Sequence, residues 1–365
     1  MTQKLTEIYR NLILLQQQIL RLFSVIYFPV TRTSFTECFK RVGILDGLGK
    51  PFLPKTIKPY LDSLIAADLL KADNRQLLQC DPLLREIATR DAVRVGEFDK
   101  YVAAVEAQFP IRKAWKGDVR EFQNQEEFIR EVRIGIYRQD LAFIDKQFQD
   151  YKKYKSLTRH ISFERILALV SNEPFDPEWI NNLNTQFYER SMSAVLHYTF
   201  LKLLPAQEAL NLLSQKSLNS NSLICFLTEQ LLLRGKLEKA EKSLDNLQED
   251  YGQESAYRGW ISFLKGDNLA AIEFYTIAIK AIGKENRKRE VFLDNICGLF
   301  YVLALLQEGS PQSLAIAENH ANWIAKQSEH FLSKTYQSLE KLIKILRGDL
   351  SHKEEFKSNR IAPYP

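Results

Sequence analysis

"TIKPYLDSLIAADLLKADNRQLLQ", residues 56–79, changes its periodicity once, and that change decides how the first quarter of the chain is read. In its first half Leu61, Leu64 and Ile65 recur at helical spacing and mark one buried side. This predicts a helix over 56–67, with Thr56 as N-cap and Pro59 in the first turn, where a missing N–H does no harm. In its second half two short apolar segments, 69–72 and 76–79, flank Asp73-Asn74-Arg75. Asp and Asn accept the left-handed backbone of a tight hairpin, so the helix runs into two strands.

Upstream, Leu5, Ile8, Leu12, Leu15, Ile19, Leu22, Phe23 and Ile26 follow helical spacing and predict one long helix over 4–28, ended by Pro29. A short helix at 34–42 has Ser34 as its N-cap and Phe35, Cys38, Phe39 and Val42 facing inward. A glycine-rich loop, 43–53, links it to the helix at 56. Downstream, another helix starts near Pro82. The order of helix, helix, helix, hairpin and helix over residues 1–95 resembles a winged helix-turn-helix domain. The loop before the third helix is longer than that fold's usual turn. The resemblance implies that the third helix enters the major groove of duplex DNA and that the hairpin touches phosphate. Lys55, Thr56, Lys58 and Tyr60 would then face the groove and Arg75 the phosphates, with Lys50 and Lys71 beside them. Against this, Asp62 and Asp68 share the helix, Asp73 adjoins Arg75, and no Arg or Asn stands ready for a bidentate base contact.

From 82 onward the chain reads as helices near 82–108, 119–137, 140–154, 160–171, 176–190, 192–204, 206–214, 220–234, 237–249, 253–265, 268–283, 287–307, 311–327 and 329–348. Short connections between them make neighbours antiparallel. Two stretches align, "LTEQLLLRGKLEKAEKSLDNL" from Leu227 and "YRGWISFLKGDNLAAIEFYTIAI" from Tyr257. In both, a turn glycine (Gly235, Gly266) precedes an alanine by five residues (Ala240, Ala271), and the two glycines are 31 residues apart. With Gly259, Tyr275 and Ala278 they resemble tetratricopeptide repeats, with Thr228 standing where Gly259 does; a third, stretched unit runs through Gly298, Gly309 and Ala317. The expected fold is therefore mainly α: a winged helix-turn-helix domain (1–95), then an α-solenoid made of a helical hairpin array (96–215) and tetratricopeptide-like repeats (216–350), and a polar tail or linker (351–365). Such arrays present extended surface to a partner protein or an adjoining domain.

The apolar fraction of 45% and charged fraction of 26% are those of a folded globular chain. The formal charge is +5, and residues 1–95 carry all of it, with fourteen Lys and Arg against nine Asp and Glu. A polyanion should therefore meet that quarter first. A second basic run, "YKKYKSLTRH" (151–160), interleaves lysine with tyrosine as a backbone-tracking segment would, or as a solvated helix end does. Cys38, Cys80, Cys225 and Cys297 form no metal or disulfide pattern, which suggests a reducing, cytoplasmic setting. Residues 12–30 are interrupted by Gln16-Gln17-Gln18 and Arg21, so no membrane span is expected.

Motifs for catalysis are absent. "GILDGLGKP" (43–51) has five residues between its outer glycines, and Pro51 replaces the hydroxyl a phosphate loop needs. His160, His197, His320, His330 and His352 have no partners at ligand spacing. No catalytic residue, metal or cofactor is expected. The expected function is a non-catalytic regulatory scaffold that binds duplex DNA and a protein partner; the alternative is a protein-interaction scaffold alone. The chain as a whole is also similar to the helical regions that precede helicase-like, chromatin-remodeller-type motors in bacteria, and to large transcription activators with helical repeats. The former resemblance implies that these residues target or regulate an ATPase.

Overall fold

A computed structural model of the chain describes residues 2–113, 119–154, 161–202, 204–214, 220–247, 252–327, 332–349 and 351. They form nineteen helices and two short antiparallel ladders, so the protein is mainly α. The chain divides into two compact units, Met1–Gln215 and Lys216–Pro365.

The first unit begins with α1 (Thr2–Arg10) and α2 (Leu14–Ile26). The single helix expected over 4–28 is broken at 11–13, although nothing between them is Pro or Gly. Tertiary and capping bonds hold the break. The Tyr9 hydroxyl donates to Asp91 at 2.7 Å, and the Gln17 amide donates to the carbonyls of Tyr9, Arg10 and Leu12 at 3.2–3.3 Å. Next come α3 (Arg32–Val42) and α4 (Pro54–Ala66). Both start earlier than the sequence suggests. The cap of α3 is Thr31, whose side chain accepts from the Ser34 N–H, and α4 opens on Pro54, which places Thr56 at its third position and Pro59 inside it.

The strands β1 (Leu70–Ala72) and β2 (Leu78–Cys80) pair with Leu70 opposite Cys80. Val30, just ahead of α3, bridges β2 through reciprocal backbone bonds with Leu78 of 3.0 and 2.8 Å. The root of the hairpin is thus tied to the helices. The core between them is aromatic: Phe23 and Phe35 stack at 4.0 Å, and Phe39 and Phe52 continue the series.

The helix expected over 82–108 is two, α5 (Pro82–Arg94) and α6 (Phe98–Gln108). A short ladder of β3 (Arg112–Lys113) and β4 (Arg120–Glu121) precedes α7 (Gln125–Arg138), which starts only after the Asn124 cap and not at 119. Both α6 and α7 pack on α2, across the domain boundary expected at 95/96. Arg133 of α7 crosses that boundary with hydrogen bonds to Glu86 and to the Ser24 carbonyl.

The unit continues with α8 (Leu141–Tyr154), α9 (Phe163–Asn172), α10 (Pro177–Asn181), α11 (Thr185–Leu201) and α12 (Gln207–Ser214). A break expected at 191 is absent. Ser191 is fully buried inside α11, and the true break precedes Asn184, whose side chain caps α11 by accepting from Phe187 N–H.

The second unit is a run of helices: α13 (Asn221–Leu232), α14 (Leu237–Leu244), α15 (Gln253–Leu264), α16 (Asn268–Glu285), α17 (Ile296–Glu308), α18 (Pro311–Ala325) and α19 (Ser333–Leu346). The helix expected over 287–307 starts nine residues late, at Ile296, where the Asn295 side chain accepts from the N–H groups of Cys297 and Gly298. Consecutive hairpins stack, and α15 also touches both α13 and α17. The small residues that define the repeat are packing residues. Ala240, Ala271 and Ala278 are completely buried. A methyl group on Gly259 would lie 3.1 Å from the Tyr275 ring, so α15 and α16 approach as closely as they do because that position lacks a side chain. The equivalent Thr228 is accommodated differently: its hydroxyl shares a 2.7 Å hydrogen bond with Ser243 of α14.

Candidate nucleic-acid interface

The seven residues expected at the interface are Lys50, Lys55, Thr56, Lys58, Tyr60, Lys71 and Arg75. Their surroundings sort them into two groups.

Helix α4 buries Ile57, Leu61 and Leu64 and leaves Lys55, Thr56 and Lys58 exposed. Thr56 is committed to the start of the helix, because its hydroxyl accepts from the Leu53 N–H at 2.8 Å. Tyr60 is half-buried and meets Phe52 edge-on, with ring centroids 6.3 Å apart, so it extends the aromatic core. Lys58 pairs with Asp62 one turn later. Asp62 also draws in Arg32 from α3 at 3.7 Å, a cation on this face that helical spacing alone leaves in the loop before its helix. Lys71 pairs with Asp81 at 2.7 Å, and that hydrogen bond raises its pKa. The remaining three, Lys50, Lys55 and Arg75, are exposed, and their side chains meet no acid among the described residues.

Two of those three stand on turns built alike. In 46–50 the Asp46 carboxylate accepts from the N–H groups of Leu48 and Lys50, Asp46 N–H donates to the Lys50 carbonyl, and Gly49 N–H donates to the Asp46 carbonyl. In 73–77 Asp73 makes the same four bonds, with Arg75, Leu77 and Gln76 in the corresponding places. The fourth residue is left-handed in both, Gly49 at φ 71° and Gln76 at φ 62°. Gln carries a steric cost of roughly 1–2 kcal/mol there that Gly does not, offset in part by the extra entropy Gly loses on folding. Gln76→Gly is therefore expected to stabilise the first unit by about 0.5–1 kcal/mol, measured as a higher urea midpoint. A lower midpoint would contradict this account of the turn.

The charge count takes a different form in the structure. Residues 43–81 hold five cations and five acids, so the excess of positive charge does not lie in this segment. Part of it is internal, since Arg21, Arg85 and Arg90 are buried. The tip of the first turn is apolar as well: Leu48 is 80% exposed, and Leu45 and Leu53 flank it.

Among the described residues no group of three or more His, Cys, Asp or Glu is placed to hold a metal ion, and no helix is long and apolar enough to cross a membrane. Burial pushes the Cys38 and Cys80 thiols up to about 12, which keeps both protonated and unreactive at neutral pH. His160, His330, His352, most of the basic run at 151–160 and nearly all of the tail at 351–365 lie outside the described residues. No protein-family model matches this chain, and neither does any curated protein or solved structure.

Proposed function

We propose that the chain is a non-catalytic binding scaffold, with a winged helix-turn-helix at residues 1–95 that holds duplex DNA by its backbone and tetratricopeptide-like hairpins that hold a partner protein or an adjoining domain, such as a helicase-like motor. The observation that carries the DNA reading is the set of three exposed cations left unpaired, Lys50 closing the first hydrogen-bonded turn, Arg75 at the tip of the second, and Lys55 in the first turn of α4. Two further cations of the segment, Lys58 and Lys71, are engaged by Asp62 and Asp81. With no Arg or Asn on the outer face of α4, the expected contact is phosphate rather than base.

Three phosphate contacts give a slope of about −2.7 in log K against log salt, or roughly a fortyfold loss between 50 and 200 mM. Anisotropy of labelled duplex with the full chain is expected to show that slope. The variant Lys50→Ala, Lys55→Ala, Arg75→Ala is expected to flatten it and to lose most of the binding. A slope unchanged in that variant would overturn the site.

A second reading is favoured by the exposed leucines. Leu48 on its locked turn, with Leu45 and Leu53, suits a protein surface better than a phosphate backbone. No duplex binding at any salt in the same titration would favour that reading.

A further inference from the structure

Helix α1 sits at a break that its own sequence does not call for. Leu5, Ile8, Leu12, Leu15, Ile19 and Leu22 step by three and four residues without interruption through 11–13, and no Gly or Pro falls between 4 and 26. Sharp kinks elsewhere have such local causes. Here the causes are two side chains, Tyr9 and Gln17. The three carbonyls that Gln17 caps, those of Tyr9, Arg10 and Leu12, are the ones that the N–H groups of Ile13, Leu14 and Gln16 would reach in a continuous helix. Gln17 therefore supplies to the broken form what straightening would supply from the backbone. Ile19 and Leu22 are completely buried, so α2 is the fixed partner and α1 the moving one. In the broken form α1 packs on α5 and forms one wall of a cleft of 1010 Å³. Glu7 and Arg10 line that wall, Arg90, Phe175 and Trp179 lie on other sides, and Glu208 also borders the cleft.

We propose that α1 is a two-state strap: folded back, it walls the cleft and is locked by Tyr9 on Asp91 and by Gln17; straightened onto α2, it leaves the cleft open along that side. The switch requires no partner residue and no unfolding of α2. A ligand entering the cleft would shift the strap by as much as it favours one state over the other.

Residue-resolved hydrogen exchange on the full chain tests this. In the double variant Tyr9→Phe, Gln17→Ala the amides of residues 13–16 are expected to exchange at least threefold more slowly than in the parent, because they gain helical acceptors. The amides of α5 are expected to keep their rates, which shows that the unit stays folded. Adding Leu14→Pro is expected to remove the gain at 13, 15 and 16. That substitution suits the broken form, since Leu14 is the first residue of α2, is 62% exposed, and follows Ile13 at φ −63° and ψ 152°. It forbids the straight helix. If residues 13–16 in the double variant exchange as fast as in the parent or faster, α1 merely frays and the strap is wrong. A gain in protection that survives Leu14→Pro would overturn the strap as well.

Discussion

Replacing Glu86 with alanine is expected to lower the stability of the first unit by about 3–5 kcal/mol, one of the largest effects any single side chain here should have. Glu86 is the acid at the centre of a buried group. Arg133 donates to its Oε1 through Nε at 3.0 Å and through Nη2 at 2.7 Å, and the Tyr137 hydroxyl donates to its Oε2 at 2.5 Å. Arg133 is 3% exposed and also reaches the Ser24 carbonyl at 3.0 Å, while its guanidinium lies 4.7 Å from the Tyr27 ring. Burial pushes the Tyr137 phenol well above its usual range, and the adjacent Glu86 adds to that, so the tyrosine stays a donor. Without Glu86 the guanidinium keeps its charge and its burial but loses its counter-ion, which is the costly half of a buried pair. The control removes the charge along with its partner. In Glu86→Leu, Arg133→Met, Tyr137→Phe the ion pair and its tyrosine are replaced by apolar groups of similar size, only the Ser24 carbonyl and the Thr89 hydroxyl lose their bond from Arg133, and much of the loss should be recovered. Urea unfolding followed by exchange of the α5 amides measures both. A single substitution that costs less than about 1 kcal/mol would mean that water reaches Arg133.

This group explains how much of the fold the sequence could show. Helical spacing located nearly every helix, because each buries one apolar stripe whatever lies beneath it. The hairpin was legible too, because its turn is closed locally by Asp73, but the left-handed residue is Gln76 and not the Asp or Asn that composition suggests, and the second strand starts only at Leu78. What the spacing could not show was anything held from a distance. The stripe from Leu5 to Leu22 runs on as if through one helix, and the bond from Tyr9 to Asp91, 82 residues away, holds the break together with the Gln17 cap. Charge misled for the same reason. Arg21 counts as a cation in the sequence but spends its charge on Asp91 at 2.6 Å and Glu97 at 3.0 Å, inside the unit. Burial alone would raise the pKa of Asp91; the hydrogen bonds from Tyr9, Arg21 and Arg94 outweigh it and hold the carboxyl below its usual range. At the candidate interface composition gave the residues, but only the geometry separates Lys50, Lys55 and Arg75 from Lys58 and Lys71, whose partners are acids that the sequence shows as neighbours at most.

The second large effect lies in the other unit and depends on pH. Glu229 on α13 is half-buried, no hydrogen bond or counter-ion meets its carboxylate among the described residues, and burial raises its pKa to about 7. The unfolded chain ionises near 4.5, so the folded unit holds this proton more tightly. The stability that follows is fully present below pH 4.5 and is lost as pH rises through 7, with about 2–3 kcal/mol gone at pH 8 after allowance for partial exposure. Glu229→Gln keeps the shape and cannot ionise. It is expected to raise stability at pH 8 by roughly that amount and to change little at pH 4.5. His320 works in the opposite direction. Burial lowers its pKa to about 4 against 6.5 in the unfolded chain, and its Nε2 lies 3.0 Å from the Leu293 carbonyl, so its contribution is present above pH 6.5 and falls away as pH drops through 4. Between pH 4.5 and 6.5 the two slopes have opposite signs and largely cancel, so together these groups give the parent unit a nearly flat profile there, with only a shallow fall on either side. The variant keeps only the His320 dependence, so its stability should rise from pH 4 to 6.5 and stay level above that, and its advantage over the parent should grow from little at pH 4.5 to its full value above pH 7. Melting of the full chain from pH 4 to 9, with the α15 and α17 amides as reporters of this unit, reads both profiles. A profile in Glu229→Gln that coincides with the parent's up to pH 9 would show that Glu229 does not carry this dependence.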